Sequence, residues 1–68
     1  MSNQQQSLYS DSKIRKKFED IQIVLETNGT WYWEVRYLNG EYKYSDNYYK
    51  SAADAEQDLI TFLKNSIL

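Results

Sequence analysis

Apolar and polar residues alternate with a period of two over the middle of the chain and with a period near 3.6 at its end. Ile21-Gln22-Ile23-Val24-Leu25-Glu26 is β-branched and alternating, so it predicts a first strand. Ile21, Ile23 and Leu25 point to one face; Gln22, Val24 and Glu26 point to the other. Trp31 to Tyr37 predicts a second strand, with Trp31, Trp33, Val35 and Tyr37 on one face. Tyr32, Glu34, Arg36 and Leu38 lie on the opposite side. A third strand passes through Tyr42 and Tyr44. Asn28-Gly29 and Asn39-Gly40 separate these runs, and Asn-Gly between apolar stretches is the strongest short-range hairpin signal. Three antiparallel strands over about 20–45 follow.

Beyond a polar loop over 45–50, Ala52, Ala55, Leu59, Phe62, Leu63 and Ile67 recur at helical spacing. Ser51 is a good N-cap with Asp54 three residues on, so a helix over about 51–66 is expected. A helix with one apolar stripe must cover an apolar surface, and the Trp33/Val35 face of the sheet is the one on offer. The pattern therefore predicts an α+β fold, a three-stranded sheet packed on one C-terminal helix. The opposite face stays open, as antiparallel sheets allow. Upstream, Ile14, Phe18 and Ile21 follow three N-cap residues (Ser10, Asp11 and Ser12) and read either as a short helix over about 11–19 or as an irregular lead-in to the first strand. Residues 1–10 are mostly Gln, Ser and Asn, and a flexible tail is expected there, with a single domain over 11–68.

With 68 residues, no cysteine and no histidine, the chain forms one domain without disulfides, and thiolate zinc sites are excluded. No calcium-loop spacing is present, so no metal or cofactor is expected. Two Trp, two Phe and seven Tyr supply the core instead. The N-terminus has no apolar segment of the secretory kind, and no run has the length of a membrane span. A cytoplasmic protein is expected, in a cell or in a phage-infected one. The net charge of −2 is uneven, since residues 1–17 carry +3, 18–50 carry −3 and 51–68 carry −2. The folded part is acidic and its leading edge is basic.

Gly29-Thr30-Trp31-Tyr32-Trp33-Glu34-Val35-Arg36-Tyr37, then Asn39-Gly40, Ser45, Tyr48-Tyr49-Lys50-Ser51, Ala53-Asp54-Ala55-Glu56 and Leu59, resemble the arm-type DNA-binding domain of phage integrases. The likeness covers about residues 27–66. It is also similar to small bacterial β-β-β-α domains of unknown function. The resemblance implies three strands and a helix, and a sheet laid in the major groove with Arg and Lys on its open face. On this chain those positions would be Arg36 and Lys43, beside Glu26, Glu34 and Glu41. No recombinase catalytic domain accompanies them.

Candidate chemistry is sparse. Trp31, Trp33 and Tyr37 could stack bases, but a core facing the helix accounts for them more simply. Tyr32, Tyr42, Tyr44, Tyr48 and Tyr49 are too many to bury, and Tyr suits recognition surfaces because it joins area to a polar tip. Plain cross-strand pairing is the bland account of the same residues. Lys13, Arg15, Lys16 and Lys17 could grip phosphate or simply form a solvated helix face. Asp54, Glu56 and Asp58 could mimic a phosphate backbone, or compensate a helix dipole. Glu34 and Glu26 are expected to face each other across strands one and two, without a desolvated pocket to tune them, so no enzyme is expected.

The leading expectation is a non-enzymatic module, such as an inhibitor or adaptor, holding a protein partner through Tyr32, Glu34, Arg36, Tyr42, Tyr44 and Tyr48. Self-association into a homodimer is one version of it. The alternative is a DNA-binding module of the integrase-arm type, from a phage or mobile element, using Lys13, Arg15, Lys16, Lys17, Arg36 and Lys43.

Overall fold

The computed structural model describes residues 8–68. A single turn of helix, α1 (Ser12–Arg15), leads into β1 (Phe18–Leu25), β2 (Trp31–Tyr37) and β3 (Tyr42–Tyr44), and α2 (Ala52–Ser66) closes the chain. The three strands form one antiparallel sheet in the order β1-β2-β3. The α+β architecture expected from the periodicities is the observed one.

Both hairpins close in the same way. The Gly29 amide donates to the Glu26 carbonyl at 2.9 Å, and Gly40 does the same to Tyr37 at 2.9 Å. Gly29 and Gly40 have φ of +89° and +91°, whereas no described non-glycine residue has positive φ. Each loop is thus a type I turn followed by a left-handed glycine, not the two-residue mirror-image turn that Asn-Gly also favours. Asn28 accepts from the Thr30 amide and hydroxyl, and Asn39 accepts from the Glu41 amide, which holds both loops in shape.

β2 is the central strand, with Ile23 opposite Trp33 and Ile21 opposite Val35. Residues directly opposite on antiparallel strands share a face. Ile21, Ile23, Trp33 and Val35 therefore turn together toward α2, as the alternation predicts. Ser51 caps α2 by accepting from the Asp54 amide at 3.1 Å. Leu59, Leu63, Val35 and Ile14 are fully buried, and Phe18 and Trp33 nearly so. The Phe62 ring stacks on Trp33 at 4.7 Å and meets Phe18 at 5.9 Å. Trp31 is half-buried at the end of the same row.

The lead-in differs from the expected helix over 11–19. α1 spans four residues, capped by Asp11, and the strand has begun by Phe18. Both readings of this segment thus hold in part, and the reason is a β-bulge. Phe18 pairs with Tyr37 and Asp20 with Arg36, leaving Glu19 as the extra residue. Without the extra residue Phe18 would face away from Ile21. With it, Phe18 joins the core and packs on Tyr37 at 5.0 Å.

The expected flexible tail over 1–10 needs correction at its end, while residues 1–7 lie outside the described part. Leu8 and Tyr9 are helical and pack against the core. The Tyr9 hydroxyl donates to a Glu56 carboxylate oxygen at 2.9 Å. Burial, that hydrogen bond and the nearby negative charge all push the Tyr9 phenol above its ordinary pKa of 10.0. A raised folded-state value means that this stabilisation is complete below pH 10 and is lost as pH rises beyond it. Tyr9→Phe is expected to cost about 1 kcal/mol at pH 7. Urea melts at pH 7 and pH 11 check both points, because the gap between the two proteins should narrow at the higher pH. An equal gap at both would remove the Tyr9–Glu56 bond from the account.

Candidate functional site

The face turned away from α2 carries the tyrosines. Glu34 pairs with Tyr44 and Arg36 with Tyr42, so these four side chains share the open side. On the other flank Gln22 opposes Glu34 and Val24 opposes Tyr32. Tyr42 and Tyr44 are each 52% exposed and Tyr48 is 66% exposed, whereas Tyr32, Glu34 and Arg36 are half-buried. The Tyr32 ring lies 6.2 Å from Tyr44 at 54° and 5.8 Å from Tyr48 at 76°. Tyr42 stacks on Tyr44 at 6.2 Å and 10°. All six residues expected to meet a protein partner therefore lie on one continuous surface.

Tyr48 reaches this face because the loop after β3 is tied down twice. The Ser45 amide donates to the Trp33 carbonyl at 2.9 Å, and its hydroxyl donates to the Asn47 carbonyl at 2.8 Å. Trp31 and Tyr49 then exchange two backbone hydrogen bonds of 2.7 Å as an isolated antiparallel bridge. With Tyr49 paired to Trp31, its neighbour Tyr48 falls beside Tyr32. The sequence showed a polar loop here, and nothing in its pattern signals the bridge.

The charge on this face is mostly negative. Burial first, then the Glu34 and Glu26 carboxylates, raise the Tyr32 phenol above its ordinary pKa. Those two acids are not cross-strand partners, however, since Glu34 stands opposite Gln22. Arg36 is the one cation of the set, and its guanidinium is paired to the Glu19 carboxylate at the bulge. Its Nε is buried without a hydrogen-bond partner.

The residues expected to touch DNA are dispersed. Lys43 is opposite Val35, on the helix face, with its ammonium 5.8 Å from the Phe62 ring centroid. It does not join Arg36, because odd and even positions of a strand point to opposite sides. Within the basic cluster, Lys13, Arg15, Lys16 and Lys17 are exposed around the buried Ile14. Lys17 donates to the Ser66 carbonyl, where a cation suits the negative end of α2. Arg15 borders a groove of about 400 Å³ between α2 and the outer edge of β1, lined also by Tyr9, Phe18, Ile21, Ile23 and Leu59.

The α2 acids have structural duties that the dipole argument did not reveal. Asp58 accepts from the Trp33 indole N–H at 2.8 Å, and Glu56 accepts from Tyr9. Burial and a hydrogen bond with Asp58 also raise the Tyr49 phenol. Two of the three acids thus satisfy polar tips of core aromatics, which leaves little of a phosphate-like row.

Among the described residues no cluster of three metal-ligating side chains exists, and no helix is long and apolar enough to cross a membrane. Compared with known proteins, the chain matches no protein-family model, no curated protein and no solved structure.

Proposed function

We propose that this protein is a non-enzymatic recognition module, acting in the cytoplasm as an inhibitor or adaptor, that holds a protein partner on the open sheet face. The observation that carries the reading is the exposed group of Tyr42, Tyr44 and Tyr48 packed around half-buried Tyr32. Ring pairs of this kind hold one another in place, so little side-chain freedom remains to be lost on binding. Tyrosine is among the residue types enriched at the energetic centres of interfaces. A second copy of the chain is one candidate for the partner.

The DNA-binding alternative draws less support from the geometry, because Arg36, Lys43 and the 13–17 cluster do not converge on one surface. Two measurements on the whole chain test the proposal. Labelled duplex DNA at 50 mM salt should show no saturable binding; an affinity falling steeply with salt would favour the alternative. Tyr32→Ala with Tyr44→Ala should abolish capture of specific proteins from lysate, or dissociate a dimer seen by light scattering. Unchanged capture and unchanged mass with that variant would end the proposal.

A further inference from the structure

The chemistry of the open face narrows what it can hold. Three kinds of group meet around Tyr32: the tilted rings of Tyr44 and Tyr48, the carboxylates of Glu34 and Glu26, and the apolar Val24 across the strand pair. Tyr44 and Tyr48, each more than half exposed, present ring surface to an approaching group. An aromatic face carries the negative end of a quadrupole, so it attracts cations and gives nothing to anions. The acids act in the same direction. Asp20 and Glu34 share this side by register, Glu26 acts on the Tyr32 phenol, and Glu19 already engages Arg36, the cation among the paired strand residues of this face. The ring faces and the carboxylates thus both favour positive charge, against which stands one unpartnered donor of the face, the buried Nε of Arg36.

Resting on the protein-partner reading above, we infer that the occupant is a basic segment of a partner protein, lying across β2 and β3. A Lys or Arg side chain of that segment sits against the Tyr32, Tyr44 and Tyr48 rings, and its charge is met by Glu34 and Glu26. The remaining length of the segment runs over Tyr42, which stacks on Tyr44. A guanidinium suits this surface particularly well, since its flat group can stack on a ring while its N–H groups reach a carboxylate.

The probe is a 12-residue peptide of alternating Arg and Ser, with an alternating Glu and Ser peptide as control, titrated into the whole chain and followed by NMR. The Arg peptide should shift the ring protons of Tyr32, Tyr44 and Tyr48, and the Glu peptide should not. Binding should weaken as salt rises from 50 to 300 mM, because part of it is charge pairing. Tyr48→Ala and Glu34→Gln should each weaken it by about two- to five-fold, the range of one exposed cation–π or ion-pair contact. Tyr48 is exposed and Glu34 half-buried on the face away from the core, and unshifted core signals of Val35 and Leu59 verify that folding is retained. Absence of Arg-peptide binding, or binding indifferent to both substitutions, overturns the inference. The broader proposal fails separately: if the peptide does not bind but the Tyr32/Tyr44 variant still loses its captured protein, only the basic character of the partner is refuted.

Discussion

Trp33→Ala is expected to leave the chain largely unfolded at 37 °C. Trp33 is 3% exposed, stacks on Phe62 and donates its indole N–H to Asp58 across the helix–sheet interface. Truncating a buried Trp to Ala costs about 3–5 kcal/mol. A domain of 68 residues has roughly 3–10 kcal/mol of total stability, so the loss is comparable to the whole. In thermal melts followed by circular dichroism the midpoint should fall by more than ~12 °C. Trp33→Phe separates the two contributions. It keeps a ring near Phe62 but removes the indole donor to Asp58, which retains Tyr49, and should cost about 1–2 kcal/mol. A Trp33→Ala midpoint within ~5 °C of the parent would mean that α2 is not docked where the structure places it.

Leu59→Ala comes next in size. Leu59 is completely buried on the inner face of α2, in one cluster with Ile14, Phe18, Trp33, Val35 and Leu63. The expected cost is about 2–5 kcal/mol, the spread reflecting how far the site can collapse around the lost methyls. Leu25→Ala is the control, since Leu25 is 55% exposed and its truncation should stay within ~0.5 kcal/mol. Urea titration of the two variants decides the matter by difference. Equal destabilisation would show that burial in this domain is distributed otherwise. A local consequence also follows, because Leu59 borders the groove beside the β1 edge and its loss enlarges that groove.

Much of this molecule was legible in the chain itself. Two Asn-Gly pairs, a period of two in Ile21 to Tyr37, and the stripe through Ala55, Leu59 and Leu63 are local signals, and each decides its element by backbone sterics or by side-chain direction. Because alternation also decides which residues of a strand share a face, Tyr32, Glu34 and Arg36 could be assigned together to the open side from the sequence, while Tyr42 and Tyr44 joined them only through the register of β3. The aromatic content identified what the core is made of in a chain lacking cysteine.

Other features depended on contacts between distant residues. The bulge at Glu19 reverses the side on which Phe18 lies, and no local pattern marks it, because its cause is the core space waiting beside Tyr37. Tyr9 is ordered by a carboxylate 47 positions away, and Asp58 is held by an indole 25 positions away. The bridge between Trp31 and Tyr49 delivers Tyr48 to Tyr32, and the register of β3 turns Lys43 inward from Arg36. Period and propensity act over a few residues, so sequence alone determined the elements and the faces of β2, of β1 from Ile21 onward and of α2. Register, bulges and the partners of buried polar groups are settled by packing across the whole domain, and only the tertiary structure could decide them.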